Sequence, residues 1–223
     1  MTKYKLINNI TGWAVFAVAA AVYLLTIEPT ASFWDCGEFI TQAYKLEVGH
    51  PPGAPIFMLV GNFFSQLAQD PSQVAKMVNS MSALMSAFTI LFLFWTITHL
   101  TRKLVLRKGE SELTVGQTIA VIGSGVVGAL AYTFSDTFWF SAVEGEVYAF
   151  SSMLTALVFW LILKWEDNAH KPQSSKWLVL IAYVFTVGVF SGANAMPETL
   201  NHAPIAIVDE DDSALSTRIF TAF

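Results

Sequence analysis

Residues 78–100 read VNSMSALMSAFTILFLFWTITHL, an unbroken run of 23 residues with no Asp, Glu, Lys or Arg. About 20 such residues, wound as a helix, cross roughly 30 Å of hydrocarbon. A bilayer offers no water to the backbone, so only helices and closed barrels span it. A barrel would show short alternating segments, so this run predicts a transmembrane helix. Immediately after it comes TRKLVLRKGE (101–110), with Arg102, Lys103, Arg107 and Lys108.

Working outward, apolar runs recur at 10–27, 117–134, 147–163 and 177–190. The first follows Lys3 and Lys5, and its end, Ile27-Glu28-Pro29, is not a small-x-small cleavage site. It is therefore expected to stay as a signal anchor. Between the first two spans, residues 28–76 are mixed, holding Asp35, Glu38, Glu47 and Asp70 beside Pro51, Pro52 and Pro55. Within this stretch, 56–68 is apolar but too short to cross, which predicts a re-entrant or interfacial helix. Phe57, Phe63 and Phe64 would then lie at headgroup level. Gly123, Gly125 and Gly128 offer the third span a small-residue face for close helix packing. The fold class is all-α: a polytopic membrane protein of about five transmembrane helices, with an outer-face loop containing interfacial helices.

Lys and Arg gather at the N-terminus, at 101–110 and at 164–176, whereas the loops after the first and third spans are acidic. The positive-inside rule then sets the N-terminus in the cytoplasm and the acidic loops outside. For a bacterial chain that means the inner (cytoplasmic) membrane. Composition agrees: 54% of residues are hydrophobic and 13% charged, against about 25% charged in soluble proteins. The net charge is −5, and no basic stripe with interleaved aromatics supports nucleic-acid binding. Cys36 is the single cysteine, so no disulfide forms within the chain. The spans carry almost no charge, which argues against an ion pathway and hence a transporter.

Three constellations carry candidate chemistry. In FWDCGEF (33–39), Asp35 and Glu38 are three apart and share a face if helical. Beside Trp34 at the membrane boundary they lose hydration, which suits a general base or a group that orients an acceptor hydroxyl. The plain alternative is a pair of solvated acids at a helix cap. In VGHPPGAP (48–55), the prolines stiffen the chain around His50, a candidate phosphate ligand or proton relay, or else a simple turn. In SAVEGEVY (141–148), Glu144 and Glu146 point one way only if the segment is extended. Two acidic loops on one face would enclose a site, or hold a divalent cation through oxygens; no other cofactor is implied. Walker A, H-E-x-x-H, G-x-S-x-G and paired C-x-x-C motifs are absent, and His99, His170 and His202 are scattered.

The run PTASFWDCGEFITQAYKLEVGHPPGAPIF (29–57) resembles the start of a bacterial family of large multi-spanning membrane proteins related to a eukaryotic transmembrane protein O-mannosyltransferase. SDTFWFSAVEGEVYAFSSM (135–153) resembles that family's second motif, and the likeness covers about 1–187. It implies a GT-C-like glycosyltransferase that takes a sugar, with mannose a candidate, from a polyprenyl-phosphate donor in the membrane to Ser or Thr of an exported polypeptide. Carried over residue by residue, Asp35 takes the place of the first-loop acid and Glu38 supports it. His50, Trp34, Glu144 and Glu146 become substrate-binding residues, and no metal ligands are assigned. The expected division is 1–190 as the transmembrane domain and 191–223 as a polar tail. There the resemblance stops, as in a truncated or frame-shifted chain. A non-enzymatic scaffold or assembly factor of the envelope is the alternative function.

Overall fold

The computed structural model describes residues 3–49, 53–106 and 112–191. Among these the chain forms eight α-helices and a short 3₁₀ turn, with no strand. The helices are α1 (Lys3–Leu25), α2 (Cys36–Lys45), α3 (Pro55–Ser65), α4 (Val74–Val105), α5 (Val115–Thr133), α6 (Asp136–Ala142), α7 (Val147–Asn168) and α8 (Ser175–Ser191). Four of them, α1, α4, α5 and α7, are long and apolar enough to cross a membrane, making this an all-α multi-pass membrane protein. The fifth expected run forms α8, which at 17 residues is shorter than these four.

Local chemistry sets where the helices begin. Asp70 accepts a hydrogen bond from the Ser72 amide (2.9 Å), and Pro71 opens the 3₁₀ turn (Pro71–Gln73) that leads into α4. Thr114 and Gln117 form a reciprocal capping box at the start of α5. Arg102 and Lys103 sit in the last turn of α4, where the helix dipole favours cations.

α4 is the axis of the bundle, with α1, α5 and α7 arranged around it. Some 56% of its apolar stretch is buried, against 17% to 33% for the other three spans, whose outer faces are left to lipid. Close approach of α5 depends on Gly125. A methyl group there would clash with Thr98 and come within 2.9 Å of the Phe94 ring. Gly128 faces Ile97 in the same way, but a methyl on Gly123 would meet nothing within 4 Å. The small-residue face of α5 is thus Gly125 and Gly128, with Gly123 turned away.

The loop helices pack on one another and on α4. Phe57, expected at headgroup level, is fully buried between Phe39 of α2 (ring centroids 5.7 Å) and Phe150 of α7 (6.4 Å). Phe63 does stay exposed, whereas Phe64 is partly buried against the same core. α3 is pulled inward because its apolar face finds α2 and α4 to cover it.

Candidate active site at the acidic end of the bundle

The helix ends sort by charge. At one end Arg102 lies over the Tyr4 ring (5.5 Å), Lys103 pairs with Glu166, His99 with Asp167 (3.6 Å), and Lys164 covers Trp160 (5.0 Å). This end unites the start of α1 with the ends of α4 and α7. The opposite end is sewn together by neutral hydrogen bonds. Tyr23 donates to the Thr133 carbonyl (2.9 Å), Trp139 Nε1 donates to Thr26 (2.9 Å), and the Glu28 amide donates to the Val143 carbonyl (3.1 Å).

That second end brings the two acidic motifs together. The Ser32 hydroxyl donates to a carboxylate oxygen of Glu144, joining loops 112 residues apart in sequence. Gly145 lies against α2 and α4: a methyl there would stand 3.1 Å from Ile40 Cγ1 and 2.9 Å from Asn79 Oδ1. Asn79, fully buried in the second turn of α4, donates from Nδ2 to the carbonyls of Glu28 (2.7 Å) and Thr30 (3.0 Å). Glu28 in turn accepts from the Thr30 hydroxyl (3.0 Å), so its carboxylate serves the loop's own turn.

The six residues expected at the site fall into distinct settings. Glu144 and Glu146 are only 8% and 6% exposed, so a solvated acidic loop does not describe them. Carboxylates pay heavily for burial unless hydrogen-bonded. Ser32 supplies a donor to Glu144, and Glu146 sits at the N-cap of α7, where the helix dipole favours negative charge. The segment bends at 143–145 before Glu146 turns extended (φ −117°, ψ 150°), and the Glu146 amide donates to the Glu144 carbonyl (2.9 Å). Glu38 is half-buried in the first turn of α2 and accepts from Gln42 Nε2. Asp35, at the N-cap position of α2, is exposed and makes no side-chain cap bond.

Trp34 stands at the rim, 92% exposed, with φ at +63°. A bulky side chain in the left-handed region is uncommon and costs about 1–3 kcal/mol, and such strain tends to gather at functional sites. Cys36 is buried among core residues, an ordinary small-residue role. His50 and the tail at 192–223 lie outside the described residues. Among the described residues, no group of three or more His, Cys, Asp or Glu is arranged to hold a metal ion.

Sequence reading missed Ser32, Asn79 and Gly145. Asn79 alone carried a local signal, a polar residue near the start of a long apolar run, with nothing to say what it would meet.

Comparison with known proteins fits this picture. A 178-residue stretch, 80% of the chain, is 29% identical to the mouse protein O-mannosyl-transferase TMEM260, of which it covers 22%. The Dictyostelium discoideum protein of the same name is 27% identical over 148 residues, covering 66% of the chain and 16% of that protein. The chain thus spans about a fifth of the length of these curated relatives. A shorter stretch of 46 residues is 54% identical to the inner membrane transport permease YhhJ of Escherichia coli, covering 21% of the chain and 12% of the permease. No solved structure matches. The model of the protein O-mannosyl-transferase TMEM260 N-terminal domain matches residues 35–196, most of the chain, and the chain therefore belongs to that family.

Proposed function

We propose that the chain is the N-terminal part of a membrane glycosyltransferase that moves a hexose, with mannose the first candidate, from a polyprenyl-phosphate carrier to Ser or Thr of an exported polypeptide. The observation that carries this reading is the meeting of both acidic motifs at one end of the bundle, through Ser32 and Glu144. Family membership gives the reaction class its support. The separation of basic and acidic ends supports an N-terminus in the cytoplasm of an inner membrane, with the site on the outer face.

In this reading the acceptor hydroxyl oxygen attacks the anomeric carbon, the bond from that carbon to the phosphate oxygen breaks, and polyprenyl phosphate leaves. Asp35, exposed at the rim, takes the hydroxyl proton, a step worth about 10²–10⁴ in rate. Glu38 orients the acceptor, and Trp34 offers an aromatic face to the sugar or the acceptor. Glu144 and Glu146 form the inner wall, and His50 serves the donor phosphate. A lipid-borne donor also has a route. A lateral groove of about 680 Å³ runs between α4, α5 and α7, past Leu93, Thr96, Ile97 and Phe159, and is lined toward the acidic end by Tyr132 and Tyr148. The likeness to a transport permease covers too little of that protein to carry a transport reading.

The test compares intact masses of envelope proteins from the parent strain and from an Asp35→Asn strain of equal protein abundance. Loss of hexose-sized increments is expected. Unchanged masses would move the assignment to the scaffold alternative, which also requires that deleting the outer loops abolishes partner capture.

A further inference from the structure

We infer that Asn79 is a positioning residue of this site, the clamp that holds the two acid-bearing loops in register; its role in transfer rests on the glycosyltransferase reading, while the clamp itself does not. Asn79 is fully buried on a transmembrane helix, where an amide is costly and needs a purpose. Its two Nδ2 hydrogens are both used, on the carbonyls of Glu28 and Thr30, 51 and 49 residues away in sequence. That grip fixes the loop segment leading to Ser32, Trp34 and Asp35. Its other face, Oδ1, has no hydrogen-bond partner and abuts Gly145, the residue between Glu144 and Glu146. A methyl at 145 would stand 2.9 Å from that oxygen, 3.1 Å from Ile40 and 3.3 Å from Val78, so only glycine lets the second loop close onto Asn79.

One side chain on the central helix therefore touches both motif loops, and Ser32 to Glu144 and Glu28 to Val143 complete the closure. Asn79 touches no solvent and hence no substrate. Its effect on transfer runs through the placement of Asp35 against Glu144, and misplacement by about 1 Å costs on the order of 10²-fold in rate.

Two readouts separate the parts of the inference. Hydrogen exchange on the 223-residue chain in detergent follows the Glu28 amide, whose partner is the Val143 carbonyl across the loop interface. In Asn79→Ala this amide should exchange at least roughly tenfold faster, while amides in mid-α1 and mid-α4 keep their protection, as local opening allows. In the full-length transferase the same variant should lower kcat by about 10–100-fold with donor KM held within about twofold. Should Asn79→Ala fail to fold, Gly145→Ala pushes on the clamp from the other side and should give the same pattern. Unchanged Glu28 exchange in a folded variant overturns the clamp. Faster exchange with unchanged kcat overturns the positioning role and leaves a structural one. A wild-type enzyme that transfers no sugar overturns the transfer role with the function, while exchange still decides the clamp.

Discussion

The basic and acidic ends of the bundle hold the same helices together by different means. At the basic end the charges are matched by opposite charges or rings, Lys103 by Glu166, Arg102 by Tyr4, Lys164 by Trp160, on side chains that reach toward solvent. Such pairs hold helices in place and leave little reactive charge over. At the acidic end the segments are joined by neutral donors: Asn79 and Tyr23 on backbone carbonyls, Trp139 on the Thr26 hydroxyl and Ser32 on the Glu144 carboxylate. Two carboxylates there are more than nine-tenths buried, and a third, Asp35, is offered to the outside. One end uses its ionic groups for fastening. The other is fastened by neutral donors, with Glu144 and Glu28 among their acceptors.

The comparison breaks most easily at Asp35. Because the side chain is exposed and caps nothing, Asp35→Asn should leave thermal unfolding unchanged while lowering kcat by about 10²–10⁴. A stability loss of several kcal/mol would make it a structural acid instead. Next comes Glu144. Glu144→Ala leaves the Ser32 hydroxyl without its acceptor and should cost about 1–3 kcal/mol in unfolding from micelles. Glu144→Gln keeps a carbonyl oxygen for Ser32 and should recover most of that loss. Equal losses in the two variants would mean that charge, rather than the hydrogen bond, fastens this end.

Along the shaft between the ends, Gly125→Ala should destabilise by about 1–3 kcal/mol through overpacking against Phe94 and Thr98. Gly123→Ala faces open space and should be neutral or stabilising by up to about 1 kcal/mol, the helix-propensity gain. The smallest effect belongs to the basic end. The Lys103–Glu166 side chains are 39% and 54% exposed, so Lys103→Met should cost under about 1 kcal/mol and leave sugar transfer unaltered. A larger cost would show that the basic end carries more of the fold than exposed pairs usually do.

Much of the architecture was legible without coordinates. The run at 78–100 lies inside α4, and 117–134 and 147–163 match α5 and α7 to within a few residues. The short apolar stretch at 56–68 reads as a helix too short to span, and α3, at 11 residues, is one. What the segment alone does not display is what covers it: Phe57 is enclosed by Phe39 and Phe150. One miss was α6, a seven-residue helix inside a stretch read as a plain loop. The acids at 144 and 146 were legible as candidates, but their burial was not, because spacing two apart says nothing about what lies on either side.

The amino-acid sequence by itself determined the helical spans, the sorting of charge to two ends and the acidic motifs as candidates. Those features follow from transfer free energies of contiguous residues, and contiguous residues are what a sequence displays. Only the tertiary structure decided that Ser32 meets Glu144 across 112 residues, that Asn79 reaches Glu28 and Thr30, and that Gly145 must be small. Hydrogen bonds act over about 3 Å. Which polar groups come that close is set by the way α1, α5 and α7 close around α4, and no local pattern records it.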